Sequence, residues 1–186
     1  APMVTGDART QTFATSQPAP DAPRPKLIGL LNGPVQWGDN MWAAMMWNTL
    51  APRTPRAGGA MLVHEPFQIV QQRLGLGLGT VSAEHLDSVD GRYWMRLEWR
   101  ALASALRESG EPRALAIREV LAFRQARHER FPDKVESERA LDINEGLASY
   151  TQAVLPAQSE ADAIASALDE LTAAEGGESF VRTFAY

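Results

Sequence analysis

The chain contains no cysteine among its 186 residues. That excludes disulfide frameworks, thiolate zinc centres and cysteine nucleophiles. Lysine is almost missing as well, with Lys26 and Lys134 alone, and 18 basic residues face 23 acidic ones for a net charge of −5. A general nucleic-acid binder needs a basic surface to displace counterions from phosphates, so that class is set aside. No apolar run reaches the roughly 20 residues of a helical membrane span. Residues 1–25 lack the charged-then-apolar order of a signal peptide. An exported protein that had already been processed would read the same way, so localisation stays open. No G-x-S-x-G is present, and no G-x-G-x-x-G follows a strand and opens a helix. The glycine-rich Leu76-Gly77-Leu78-Gly79 lacks the Lys-Ser/Thr end of a phosphate loop.

What is present suffices for one domain with a real core, since 45% of the residues are hydrophobic. Ala1 to Lys26 is rich in Ala, Pro, Thr and Ser, with Pro18, Pro20, Pro23 and Pro25 close together. It reads as a tail or linker, and residues 27–186 read as the folded domain. Leu27 to Leu31 is a short apolar run that stops at the turn Asn32-Gly33-Pro34. Val35-Gln36-Trp37, then Gly38-Asp39-Asn40, then Met41 to Trp47 has the pattern of a β-hairpin, on which Trp37, Trp42 and Trp47 suit a half-buried pleated face. Helical patterns follow from Met61 to Gly75, from a Ser88 cap to Glu108, and from Pro112 to Phe131. Two more run from an Asp133 cap to Pro156 and from Ser159 through Leu171. The predicted class is α+β, mainly α: a small N-terminal hairpin or sheet packed on a bundle of about five helices. Arg92, Arg96 and Arg100 recur every four residues beside Tyr93 and Trp99, and an ion-paired or solvated face is the expectation for them. The stripe Glu138, Asp142, Glu145, Ser149 is likewise expected to face solvent.

The stretch with chemical content is Met61-Leu62-Val63-His64-Glu65-Pro66-Phe67-Gln68, inside the first helical pattern. Val63, Phe67, Val70 and Leu74 form an apolar stripe, and His64, Gln68 and Gln71 follow the same spacing on a neighbouring face. On a helix, residues four apart stand one above the other, so His64 and Gln68 face the same point. The pattern is one residue short of H-E-x-x-H, in which two imidazoles hold zinc and the Glu is the general base. Pro66 departs from it too, since a proline inside a helix removes a hydrogen bond. The expectation is therefore a kink at His64-Glu65 or a helix that becomes regular only near Pro66.

Together with Asn144-Glu145-Gly146-Leu147-Ala148-Ser149-Tyr150, this stretch resembles the gluzincin branch of the zincin metallopeptidases. More narrowly it resembles bacterial proteins that carry H-E-x-F-H followed by N-E-G-L-A-x-Y-T. The resemblance runs from about Val35 to the end, and because those proteins continue further it implies a chain truncated at its C-terminus. It implies a zincin-like fold and a zinc cofactor held by His64, Glu145 and the residue at position 68, here Gln68. It also implies Glu65 as the base that polarises a zinc-bound water, and a peptide or protein substrate. Tyr150 is the candidate for stabilising the oxyanion. His85, in Glu84-His85-Leu86-Asp87, is an alternative metal ligand whose ring Asp87 would orient. His128 sits at a helix end, where the dipole accounts for it. An amide oxygen carries no charge, so Gln68 weakens the zinc site. The reading is then a zincin homologue with an impaired or lost metal site. Its alternative is a non-catalytic module holding a peptide or protein segment in the groove lined by Trp42, Trp47 and the first helix.

Overall fold

The computed structural model describes residues 5–7, 12–14, 23, 25–26, 32–46, 55–76 and 83–181. Its elements are mainly helical, with small antiparallel sheets on the N-terminal side, as the patterning predicts. The chain divides into two compact units, Ala1–Leu78 and Gly79–Tyr186.

In the first unit, β1 (Thr5–Asp7) pairs antiparallel with β2 (Thr12–Ala14), inside the stretch read as a tail. The hairpin falls where its turn residues put it: β3 (Gly33–Trp37) pairs with β4 (Asn40–Ala44), Val35 opposite Trp42 and Trp37 opposite Asn40. Gly38 takes a φ of 60° in the turn, a left-handed value that a side chain would resist. Val35, Trp37 and Ala44 are buried, and the Trp42 ring lies 5.6 Å from that of Trp37. Its indole N–H donates to the Trp37 carbonyl at 3.0 Å. The Met46 amide donates to Asn32 Oδ1 at 2.7 Å, which ties the two ends of the hairpin together. The hairpin packs on α1 (Pro55–Arg73). Leu27–Leu31 and Trp47 lie outside the described residues.

Helix α1 runs unbroken through Pro66, where a kink or a late start was expected. The proline leaves the Leu62 carbonyl without its usual amide donor. Leu62 is 49% exposed, so water can take that bond while the flanking turns carry the helix.

The second unit begins with a 3-10 turn, Glu84–Asp87, which leads into α2 (Val89–Arg107). Ser88 caps α2 as expected, its Oγ accepting the Gly91 amide at 3.0 Å. Then come α3 (Gly110–Arg130), a second 3-10 turn (Pro132–Lys134), and one continuous helical rod over residues 135–154. The rod is α4 (Val135–Leu141), a π-helical stretch (Asp142–Gly146) and α5 (Leu147–Val154). Ser159 caps α6 (Glu160–Glu175) by accepting the Asp162 amide at 3.2 Å. The segment that follows, through Val181, is irregular.

The core of this unit gathers Leu86, Met95, Trp99, Leu141, Leu171 and Phe180. The Trp99 and Phe180 rings lie 4.8 Å apart. Arg92 and Arg96 stack on the Phe180 ring. Arg92 also donates to the Gly177 and Glu178 carbonyls and pairs with Asp87, and Arg100 pairs with Glu175. The arginine stripe is thus an ion-paired face, in keeping with its charge pattern. No helix of the described residues is long and apolar enough to cross a membrane.

Candidate functional site

Helix α1 buries its polar face. Glu65 (6% exposed), Gln68 (7%) and Gln71 (0%) are buried, while Leu62, Val70 and Leu74 are exposed. The spacing had favoured the apolar stripe as the inward side. Buried polar atoms are costly unless they are bonded, and the Gln68 amide is within hydrogen-bond distance of His64. A helix that turns Glu and Gln inward and leaves Leu outside is organised around those polar groups.

His64 and Gln68 meet one turn apart, the Gln68 Nε2 lying 3.3 Å from His64 Nε2. An amide nitrogen can only donate, so the imidazole nitrogen accepts and the ring proton sits on Nδ1. Zinc would need that same Nε2 lone pair. Among the described residues no three His, Asp or Glu side chains are grouped as a metal ion requires. With an amide in place of the second imidazole, the pair offers zinc one neutral ring nitrogen and one uncharged amide oxygen.

Glu145 and Tyr150 belong to the second unit, on the helical rod. Glu145 lies in the π-helical stretch and accepts from Asn144 Nδ2 at 3.4 Å, and Tyr150 on α5 is 67% exposed. Single π turns inside α-helices occur frequently at functional sites.

His85 is committed elsewhere. It sits on the first 3-10 turn with its side chain 5% exposed, and its Nε2 donates to Glu138 Oε1 at 2.6 Å. Asp87, expected to orient that ring, instead accepts from Arg92, from the Ser179 hydroxyl and from the Phe180 amide. Those two hydrogen bonds, with the Arg92 charge, hold the Asp87 carboxyl below its ordinary range.

Glu138 centres a buried ion cluster that the sequence reading missed, because it treated the acidic stripe as a solvated face. Arg127, fully buried, donates from Nε and Nη2 to Glu138 and from Nη1 to Glu98. His128 Nε2 donates to Glu138 Oε2 at 3.1 Å, so its role extends beyond the helix dipole. Arg124 bridges Glu98 Oε1 at 2.8 Å and Asp142 Oδ2 at 2.9 Å. Burial pushes the Glu138 carboxyl up, but the Arg127 hydrogen bonds and charge, with His85 and His128, outweigh it and hold the group below its ordinary value. For Asp142 the balance is reversed: burial dominates, Arg124 offsets it only partly, and the carboxyl is raised. Every oxygen of Glu138 is saturated with donors. The cluster therefore joins the first 3-10 turn, α2, α3 and the rod.

A signal for the cluster does exist in the sequence. Arg127 and Glu138 lie almost equally far either side of the Pro132–Lys134 turn, and so do Arg124 and Asp142. Opposite charges mirrored about a short turn between two helical patterns meet when the helices fold back on one another.

Comparison with known proteins brings no relative to this site: no family model, no curated protein and no solved structure matches the chain.

Proposed function

We propose that the chain is a zincin-like metallopeptidase homologue whose zinc site is impaired. The observation that supports this most directly is the inward polar face of α1. His64 and Gln68 stand in contact one turn apart with Glu65 buried beside them, the spacing of an H-E-x-x-H helix with one ligand exchanged. The segment Asn144 to Tyr150, with its π-helical start, is the second element of that resemblance. A second reading, a non-catalytic module for an extended peptide, draws on the hairpin packed against α1. Among the described residues β3 and β4 pair only with each other, and an open strand edge can accept a further strand.

Metal analysis separates the two readings. The natural chain is expected to hold no stoichiometric zinc, and its stability is expected to ignore chelators. Gln68→His is expected to bind one zinc ion, and the double variant Gln68→His with His64→Ala to lose it. If Gln68→His binds no zinc in a folded chain, the zincin kinship fails and the peptide-binding reading takes its place.

A further inference from the structure

Residues 177–181, which follow α6, form neither helix nor strand, yet Phe180 among them is fully buried. Two side chains grip the backbone of this strap. Arg92 donates to the Gly177 carbonyl at 3.1 Å and to the Glu178 carbonyl at 2.8 Å. Asp87 accepts the Phe180 amide on one carboxylate oxygen at 2.7 Å and the Ser179 hydroxyl on the other at 2.6 Å. Asp87 and Arg92 also pair with each other at 3.1 Å, so the two grips hold one another in place.

The side chains of the strap are read as well as its backbone. Arg92, Arg96 and Trp99 follow one another at spacings of four and three, which puts them on one face of α2. The Phe180 ring lies against all three, with the guanidinium carbons 4.2 and 5.3 Å from its centre and the Trp99 ring at 4.8 Å. A guanidinium is drawn to the face of an aromatic ring, and an aliphatic side chain of similar size offers no such face. The Ser179 hydroxyl supplies a hydrogen bond to a carboxylate that alanine could not make. Main-chain bonds that give affinity, with one pocketed aromatic that gives specificity, are how proteins capture an extended peptide.

The strap joins α6 through Gly176-Gly177. A Cβ on Gly177 would stand 3.1 Å from the Ala174 carbonyl oxygen, so the chain leaves the helix by a path that suits glycine. A glycine pair is also the least restricted hinge a chain can have.

We propose that the face formed by Asp87, Arg92, Arg96 and Trp99 is a peptide-recognition site for a Ser-Phe segment, and that residues 177–181 occupy it in cis. A Ser-Phe segment of another chain binds there by displacing the strap about Gly176-Gly177. This does not depend on the metallopeptidase reading.

The test is calorimetric titration of the full chain with the synthetic peptide Gly-Gly-Glu-Ser-Phe-Val. Phe180→Ala, which lacks its own anchor, is expected to bind one peptide per chain. The natural chain should bind at least about tenfold more weakly, because a tethered segment competes at high effective concentration. The peptides Gly-Gly-Glu-Ser-Leu-Val and Gly-Gly-Glu-Ala-Phe-Val should each bind about fivefold more weakly than the first, having lost the cation–π contact or the hydroxyl bond. Ser179→Ala keeps Phe180 in the core and removes one bond from the strap, so it should take up the first peptide about fivefold more tightly than the natural chain does. That variant keeps the test decisive if Phe180→Ala does not fold. Sedimentation identifies the source of the segment, and both of its outcomes support the site. A dimer that the peptide dissociates assigns the segment to a second copy, and a monomer that binds the peptide assigns it to a different protein. No saturable binding by either folded variant, equal affinity of variant and natural chain, or indifference to replacing Phe by Leu in the peptide would overturn the proposal.

Discussion

Among single residues, Glu138 carries the largest stake. It bonds to Arg127, His85 and His128 from a site that is 2% exposed. Removing one member of a buried ion cluster leaves the others charged and unpaired, which costs about 3–5 kcal/mol. Glu138→Ala is expected to destabilise by that amount in urea unfolding, whereas Arg130→Ala, which breaks the exposed Arg130–Asp90 pair, should cost no more than about 1 kcal/mol. The pH dependence has a definite sign. The Glu138 carboxyl is held below its ordinary 4.5, so its stabilisation is present above that pH and is lost as pH falls through the lowered folded value. Asp142, raised above its ordinary 3.8, acts the other way: its contribution is fully present below 3.8 and is lost as pH rises through the raised folded value. Glu138→Gln should therefore flatten the acid limb of the stability profile below 4.5, and Asp142→Asn should remove an opposing slope above 3.8. A Glu138→Gln profile that keeps the full acid limb would mean that the cluster is not what titrates there.

At the level of elements, local chemistry was legible and facing was not. Ser88 and Ser159 are caps in the structure because capping involves only the next three residues, and the hairpin follows from Gly38-Asp39-Asn40 for the same reason. Which side of α1 turns inward is a tertiary matter. Val63, Phe67, Val70 and Leu74 fit an apolar stripe as well as any helix, yet it is Glu65, Gln68 and Gln71 that are buried. Periodicity by itself carries no information about that choice. The same limit hid Glu138, whose partner His85 is 53 residues away. Gly91 is a further case of a contact visible only in three dimensions. A Cβ there would lie 2.1 Å from the His85 carbonyl oxygen and 2.8 Å from the Leu86 Cα, and these are backbone atoms that cannot rotate aside. Gly91→Ala would normally favour a helix. Here it is expected to destabilise by about 1–3 kcal/mol, as overpacking does, and to disturb the His85–Glu138 contact. An unchanged melting temperature for Gly91→Ala would show that the first 3-10 turn gives way at little cost.

At the scale of the whole molecule, the two units differ in what holds them. Among its described residues the first unit gathers Val35, Trp37 and Ala44 in a hydrophobic cluster and buries a polar helix face. The second unit has a larger cluster around Trp99 and Phe180, and its ion cluster links four elements that a local unfolding event would have to separate. Cooperative unfolding requires such mutual dependence. Residues 79–186 expressed alone are therefore expected to keep their helical far-ultraviolet spectrum and to melt in a single transition followed by the fluorescence of Trp94 and Trp99. Residues 1–78 alone are expected to show no cooperative transition. Glu138→Ala within the 79–186 fragment should lower or abolish its transition, because the residue's partners all lie within that unit. A fragment 79–186 that melts gradually, or whose melting ignores Glu138→Ala, would place the cooperativity of the chain outside this unit and would remove the ion cluster as its organising contact.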